Sequence, residues 1–163
     1  MPLENLPGPV IFLTGMLVML LVVPGQKIKE LFLIGLVGGI GVGIVLIYVM
    51  QNIFGFWVYP LSSDLIYIAA LPVFLIAGWF PVIILFAYLL GRYNNSAILL
   101  LIILFFPAGA TVSHLFMLKG GMLFYNNWGL GETFLQSLGI HLVIALFLYV
   151  TGRLVISNKI EQN

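Results

Sequence analysis

The sequence predicts an all-α fold: a helical integral membrane bundle of five transmembrane helices, N-terminus outside and C-terminus cytoplasmic. Three observations predict it. First, hydrophobic residues make up 63% of the 163 residues and charged residues 7%, against about 45–50% and about 25% in ordinary soluble domains. So few charges cannot clothe a soluble fold, and the solvent for most of this chain is lipid. Second, the apolar residues gather into runs of membrane-crossing length. Third, Lys and Arg fall almost wholly on one side of those runs.

The runs cover residues 9–24, 31–50, 64–90, 96–118 and 134–157 of a single transmembrane domain, 1–163. A bilayer core needs roughly 20 apolar residues in a helix. The first run is short and bounded by Pro9 and Pro24; leaving it out gives a four-span reading with the same orientation for the rest. The third contains Pro72 and Pro81 and reads either as one kinked helix or as two half-helices broken near Gly78–Pro81. Membrane helices tolerate such prolines where neighbours satisfy the freed carbonyl. Local start signals accompany three runs. Ser62–Asp64 and Asn94–Ser96 offer capping oxygens before the third and fourth, and Thr133 to Gln136 matches a capping box before the fifth.

Five spans send the termini to opposite sides. Lys27, Lys29, Arg92, Arg153 and Lys159 then share one side, and Lys119 stands alone on the other, with Glu4, Asp64 and Glu132. The positive-inside rule makes the richer side cytoplasmic. The start, MPLENLPGPV, carries Glu4 and no Lys or Arg before the first run. It predicts an uncleaved anchor with an exported N-terminus, not a secretory signal. The net charge of +1 excludes a nucleic-acid partner, and the lack of cysteine excludes disulfides and thiolate chemistry.

Two aromatic stretches, Phe54–Pro60 and Phe124–Trp128, fall in the exported connections. They read as interfacial belts, with a ligand-stacking platform as the alternative.

The stretch LIGLVGGIGVGIVL places Gly35, Gly39 and Gly43 four apart on one helix face, with Gly38 beside them. In lipid, close backbone approach through small residues is a main source of helix association. A phosphate-binding loop needs a strand before the glycines and a helix opening after them. Here the glycines sit mid-span, with apolar flanks on both sides and no Lys-Ser/Thr. The ridge therefore predicts packing, against either another span or a second copy.

Candidate chemistry is sparse. No Asp, Glu, Lys or Arg lies deep in any run, which argues against a pump or an ion-coupled transporter. His114 sits about one turn from the outer end of the fourth span, and His141 about two turns, ~10 Å, below the start of the fifth. Thr133, Ser137, His141, Ala145 and Tyr149 recur every four residues as a stripe that should face protein. Thr111 shares a face with His114, and the two histidines are placed to approach each other. Asp64, Glu132, Gln51, Asn52, Asn126 and Asn127 belong to the same outer layer. The candidate ligand-binding set is thus His114, His141, Asp64, Ser137, Asn126 and Trp128. The spacing matches no metal site, no serine-nucleophile motif and no cofactor site.

The Tyr59–Pro60 pair ahead of Asp64, and the loop KGGMLFYNNWGLGETF leading into a last span that ends at Arg153, carry a resemblance. Over its last two-thirds the chain resembles a family of small uncharacterised multi-spanning membrane proteins of spore-forming Gram-positive bacteria. The family often has an acid near the position of His114, and this sequence departs there. The resemblance implies a multi-pass protein of a bacterial plasma membrane and no established activity.

The residues lead first to a non-enzymatic packing or interaction component. Its partners would be the bilayer and either copies of itself or another membrane protein, through the Gly35, Gly39 and Gly43 face. The alternative is a small carrier or receptor for a lipid headgroup or polar solute in an outer-leaflet pocket. A membrane-embedded enzyme is third.

Overall fold

The computed structural model describes residues 7–152. Glu4, Arg153, Lys159 and the end of the fifth predicted span lie outside the described residues. Five helices form the body: α1 (Pro7–Val22), α2 (Gly25–Ile53), α3 (Val73–Arg92), α4 (Ser96–Lys119) and α5 (Leu130–Val150). The last four are long and apolar enough to cross a membrane. α1, with 16 residues, reaches only ~24 Å, short of the ~30 Å hydrocarbon core.

Several boundaries move from expectation for identifiable reasons. α2 begins directly after Pro24, so Lys27 and Lys29 lie in its opening turns rather than in a loop. Residues 64–72 are not helical. Pro72 supplies no amide and biases Leu71 toward extended backbone. The segment instead makes a hairpin of β2 (Tyr67–Ile68) and β3 (Leu71–Pro72). Beyond it, α3 is one helix with a local interruption at Gly78, whose backbone stays helical (φ −59°, ψ −23°) and whose amide still reaches Phe74. The fourth span starts as expected on Asn95, whose Oδ1 accepts from the amides of Ala97 and Ile98 at 2.9 and 3.2 Å. The Thr133 capping box does not form. α5 starts at Leu130 with Gly129 as cap, and Thr133 sits a turn inside it.

α3 is the hub. Ile83, Ile84, Phe86 and Leu90 on it have no exposed surface. The glycine face of α2 meets it. A Cβ on Gly39 would stand 2.8 Å from the Trp79 carbonyl oxygen and 2.9 Å from Phe80 Cα. Gly35 abuts Ile84 and Phe80, and Gly43 abuts Ile76 and Trp79. The ridge thus touches α3 of the same chain. Through Gly35–Gly41 the helix widens into π-type turns, as it does again at Tyr48–Ile53. α1 packs on another side of α3, Gly15 facing Pro81, and α4 packs chiefly along α5.

Two connections close one end of the bundle. β1 (Trp57–Val58) pairs antiparallel with β4 (Phe124–Tyr125), and the Asn126 amide donates to the Phe56 carbonyl at 2.7 Å. Ser63 Oγ donates to the Met122 carbonyl at 2.6 Å, and the Gly8 amide donates to the Ser63 carbonyl at 3.2 Å. The cap therefore ties the start of α1 to the connections between α2 and α3 and between α4 and α5. Lys119 lies at this end. Lys27, Lys29 and Arg92 lie at the other, where Lys27 pairs with Glu30 at 2.6 Å.

Candidate functional site

Beneath the cap lies a cavity of about 270 Å³. All five helices contribute to its wall: Ile11 from α1, Ile47 from α2, Leu75 and Val82 from α3, Ser113 and His114 from α4, Gln136, Ser137 and His141 from α5. Trp57 and Tyr59 close it from the cap, both buried.

Of the residues picked from the sequence, His114, Ser137 and His141 come together in this cavity. Asp64, Asn126 and Trp128 do not. Asp64 is 4% exposed, and its carboxyl is engaged by backbone amides. Oδ1 accepts from Leu65 and Ile66 at 2.7 and 3.4 Å, and Oδ2 accepts from Leu75 at 2.8 Å. Asn126 is exposed on the cap. Trp128 packs behind the cavity, stacked on Phe56 at 5.1 Å and edge-on to Trp57 at 5.5 Å. The aromatic stretches are therefore not a simple interfacial belt. Phe54 is exposed, but Trp57 and Tyr59 turn inward as lining.

The α5 stripe holds through Thr133, Ser137, His141 and Ala145, all buried, and then fails: Tyr149 is 53% exposed. A row of residues four apart drifts about 40° per step around a helix, so its fifth member leaves the face. Sequence reasoning misses Ser113 and Gln136 as lining, and offers Trp57 and Tyr59 only within the stacking-platform alternative for Phe54–Pro60. A signal for Ser113 is present: Gly109 and Ser113, and Ala110 and His114, repeat the four-residue spacing of small and polar groups on α4.

Two hydrogen-bonded systems define the polar wall. His141 Nδ1 lies 2.7 Å from the Ser137 carbonyl oxygen. A carbonyl only accepts, so Nδ1 carries the proton, and in the neutral ring Nε2 presents its lone pair. The imidazole is clamped edge-on to Phe86 at 4.7 Å and tilted to Phe106 at 5.8 Å. His114 belongs to a chain that leads back to the cap. Its Nδ1 is 2.6 Å from the Tyr125 hydroxyl, which is 2.6 Å from Thr133 Oγ. Trp128 Nε1 donates to that same Oγ at 2.9 Å. Burial, aided by the Glu132 charge, holds the Tyr125 phenol above its usual range, and burial does the same for Tyr59. Both stay protonated and available as donors.

Two buried polar atoms have no hydrogen-bond partner among the described residues: Trp57 Nε1 and His141 Nε2. Both residues line the cavity and each is 2% exposed, but the two nitrogens have under 1 Å² of accessible surface each and do not open onto it. No Asp, Glu, Lys or Arg among the described residues lines it. Two of the lining residues also lie on the outside of the bundle: Phe105, 67% exposed, and Gly109, which has open space where a Cβ would be.

Compared with known protein families, curated proteins and solved structures, the chain matches none.

Proposed function

We propose that this protein is a multi-pass membrane protein, N-terminus outside and C-terminus cytoplasmic, that binds a small lipid-soluble molecule in the cavity under its cap. It acts as a carrier or receptor, not as an enzyme. The observation that carries this reading is the cavity itself, about 270 Å³, walled by all five helices and closed from the cap by Trp57 and Tyr59. The glycine face that would serve an interaction component is already filled by α3, so cavity binding has the firmer support.

The orientation draws on the charge distribution. Lys27, Lys29 and Arg92 gather at the end away from the cap, which makes that end cytoplasmic by the positive-inside rule. Kinship with the small multi-spanning proteins of spore-forming bacteria, and a bacterial plasma membrane location, belong to the same proposal.

Native mass spectrometry of the purified protein tests the binding. The expected spectrum holds one retained small molecule, absent from Ala110→Phe, which puts a ring into the cavity. A spectrum with no retained mass, or the same mass in both proteins, overturns the proposal. The chain has no native cysteine, so Lys29→Cys and Asn126→Cys report sidedness directly. A membrane-impermeant thiol reagent applied to intact cells should label position 126 and spare position 29. The opposite pattern reverses the orientation.

A further inference from the structure

We infer that the protein also holds a phospholipid with an anionic headgroup, in a second pocket at the end of the bundle away from the cap, with Arg92 as its anchor. This site is separate from the cavity under the cap and rests only on the reading of the chain as a membrane protein.

The pocket, about 520 Å³, lies between the start of α2 and the ends of α3 and α5. Its exposed lining residues, Lys27, Glu30 and Arg92, form a rim, and buried Leu31, Ala87 and Leu148 form a floor. The floor is the edge of the main hydrophobic core.

Arg92 is held in place without being neutralised. Its Nη1 donates to the Tyr88 hydroxyl at 3.2 Å, and the guanidinium lies 5.9 and 5.8 Å from the Tyr88 and Tyr93 ring centres. It makes no salt bridge among the described residues. A guanidinium has five donors, and its fork matches the oxygens of a phosphate. Lys27 does pair with Glu30, but the two side chains are 52% and 46% exposed, and a pair so solvated is weak. Two cations and one acid leave the rim with one net positive charge. Attraction between exposed charges reaches about 8 Å at physiological salt, so Lys27 need not touch the same oxygens as Arg92.

Depth points to a lipid. α3 runs 20 residues, about 30 Å, the thickness of the hydrocarbon core. Arg92 is its last residue and so stands at headgroup level, where lipid phosphates lie. The apolar floor then meets the top of an acyl chain, which a soluble anion would leave uncovered. The head is anionic and not zwitterionic. A choline would bring a third cation to the rim, and the two rings able to receive it already face the guanidinium. Basic pockets between helices at the membrane surface suit anionic heads for these reasons.

Native mass spectrometry of the full chain in detergent, titrated with phosphatidylglycerol or phosphatidylcholine of identical acyl chains, tests this. Wild type should bind phosphatidylglycerol about five- to tenfold more tightly, each surface Lys or Arg being worth roughly fivefold. Arg92→Gln should weaken phosphatidylglycerol about fivefold and leave phosphatidylcholine unchanged, which also shows that the variant is folded. Glu30→Gln should strengthen phosphatidylglycerol, and Lys119→Gln, at the capped end, should alter neither lipid. Equal binding of the two lipids by wild type overturns the proposal, and so do equal losses in Arg92→Gln and Lys119→Gln. Displacement of the lipid by millimolar glycerol phosphate would assign the pocket to a soluble anion and overturn the lipid. Ala110→Phe should leave phosphatidylglycerol binding intact, so failure of the cavity under the cap and failure of this pocket are read separately.

Discussion

Oδ2 of Asp64 accepts the amide hydrogen of Leu75 at 2.8 Å, from eleven residues upstream. Leu75 is in the first turn of α3, where amides have no partner within the helix. Pro72, at the cap position, has no side-chain oxygen to offer. A distant carboxyl therefore serves as the N-cap, on the end of the helix dipole that favours an acid. The same oxygen fixes α1: a Cβ on Gly8 would stand 2.5 Å from it. Asp64→Ala should destabilise the protein by about 1–3 kcal/mol by orphaning buried amides, and Asp64→Asn should lose less. Thermal unfolding in detergent gives the order. Equal melting temperatures for Asp64→Ala and wild type would dispose of this role.

Gly39 and Gly43 occupy the same ridge with different clearances. A methyl at Gly39 runs into backbone atoms of Trp79 and Phe80 at 2.8–2.9 Å, which cannot swing aside. A methyl at Gly43 meets side chains at 3.5–3.6 Å, an ordinary contact. Gly39→Ala should cost about 1–3 kcal/mol through overpacking. Gly43→Ala should be neutral or gain up to about 1 kcal/mol of helix propensity. Denaturant or thermal midpoints of the two variants decide it, and matching losses would mean that α2 can slide on α3.

The β2–β3 hairpin turns on Ala69 and Ala70, at φ 50° and 64°. A two-residue turn with both φ values positive prefers Asn-Gly, because a Cβ there is strained by roughly 1–2 kcal/mol. Gln51 Nε2 donates to the Ala70 carbonyl at 3.0 Å and helps hold the turn. Replacing Ala70 with Gly should raise stability by up to about 1 kcal/mol. A fall in melting temperature would show that the alanine methyl contributes contacts outweighing its strain.

Alkaline pH probes the cap. Tyr125 is raised above 10.0 chiefly by burial, then by the Glu132 charge, and Tyr59 chiefly by burial, then by Tyr125 and Tyr67. An acid whose folded pKa exceeds its unfolded value keeps its proton longer when folded. Its contribution to stability is full below about pH 10 and declines as pH climbs past that value. Melting temperatures taken across that range should fall at the alkaline end. Tyr125→Phe should start lower, having lost its bonds to His114 and Thr133, and should fall less steeply. An identical slope would mean that Tyr125 ionises equally in both states.

The parts of this fold that are legible in the sequence are those written in helical period. Gly35, Gly39 and Gly43 announce a contact because their spacing matches one face of a helix, and Ser137 and His141 announce a buried stripe for the same reason. The cap is illegible. Its strands are two residues each and have no periodicity to detect, and their pairing joins Trp57 to Tyr125 across α3 and α4. Asp64 is visible as a capping acid, but sequence rules for caps are local and assign it to its own neighbourhood. Trp57 reads as a membrane-surface aromatic, since composition alone cannot tell which side of a loop a ring will face.

The β1–β4 ladder also dictates an order of assembly. The ribosome releases Trp57 before α3 and α4 exist, and Tyr125 only after both have been made. Until then the indole has no partner strand, and α5 with His141 is still to come. Completion of the vestibule is thus a late event in biogenesis, and a chain arrested after α4 would lack both β4 and the wall that α5 gives the cavity.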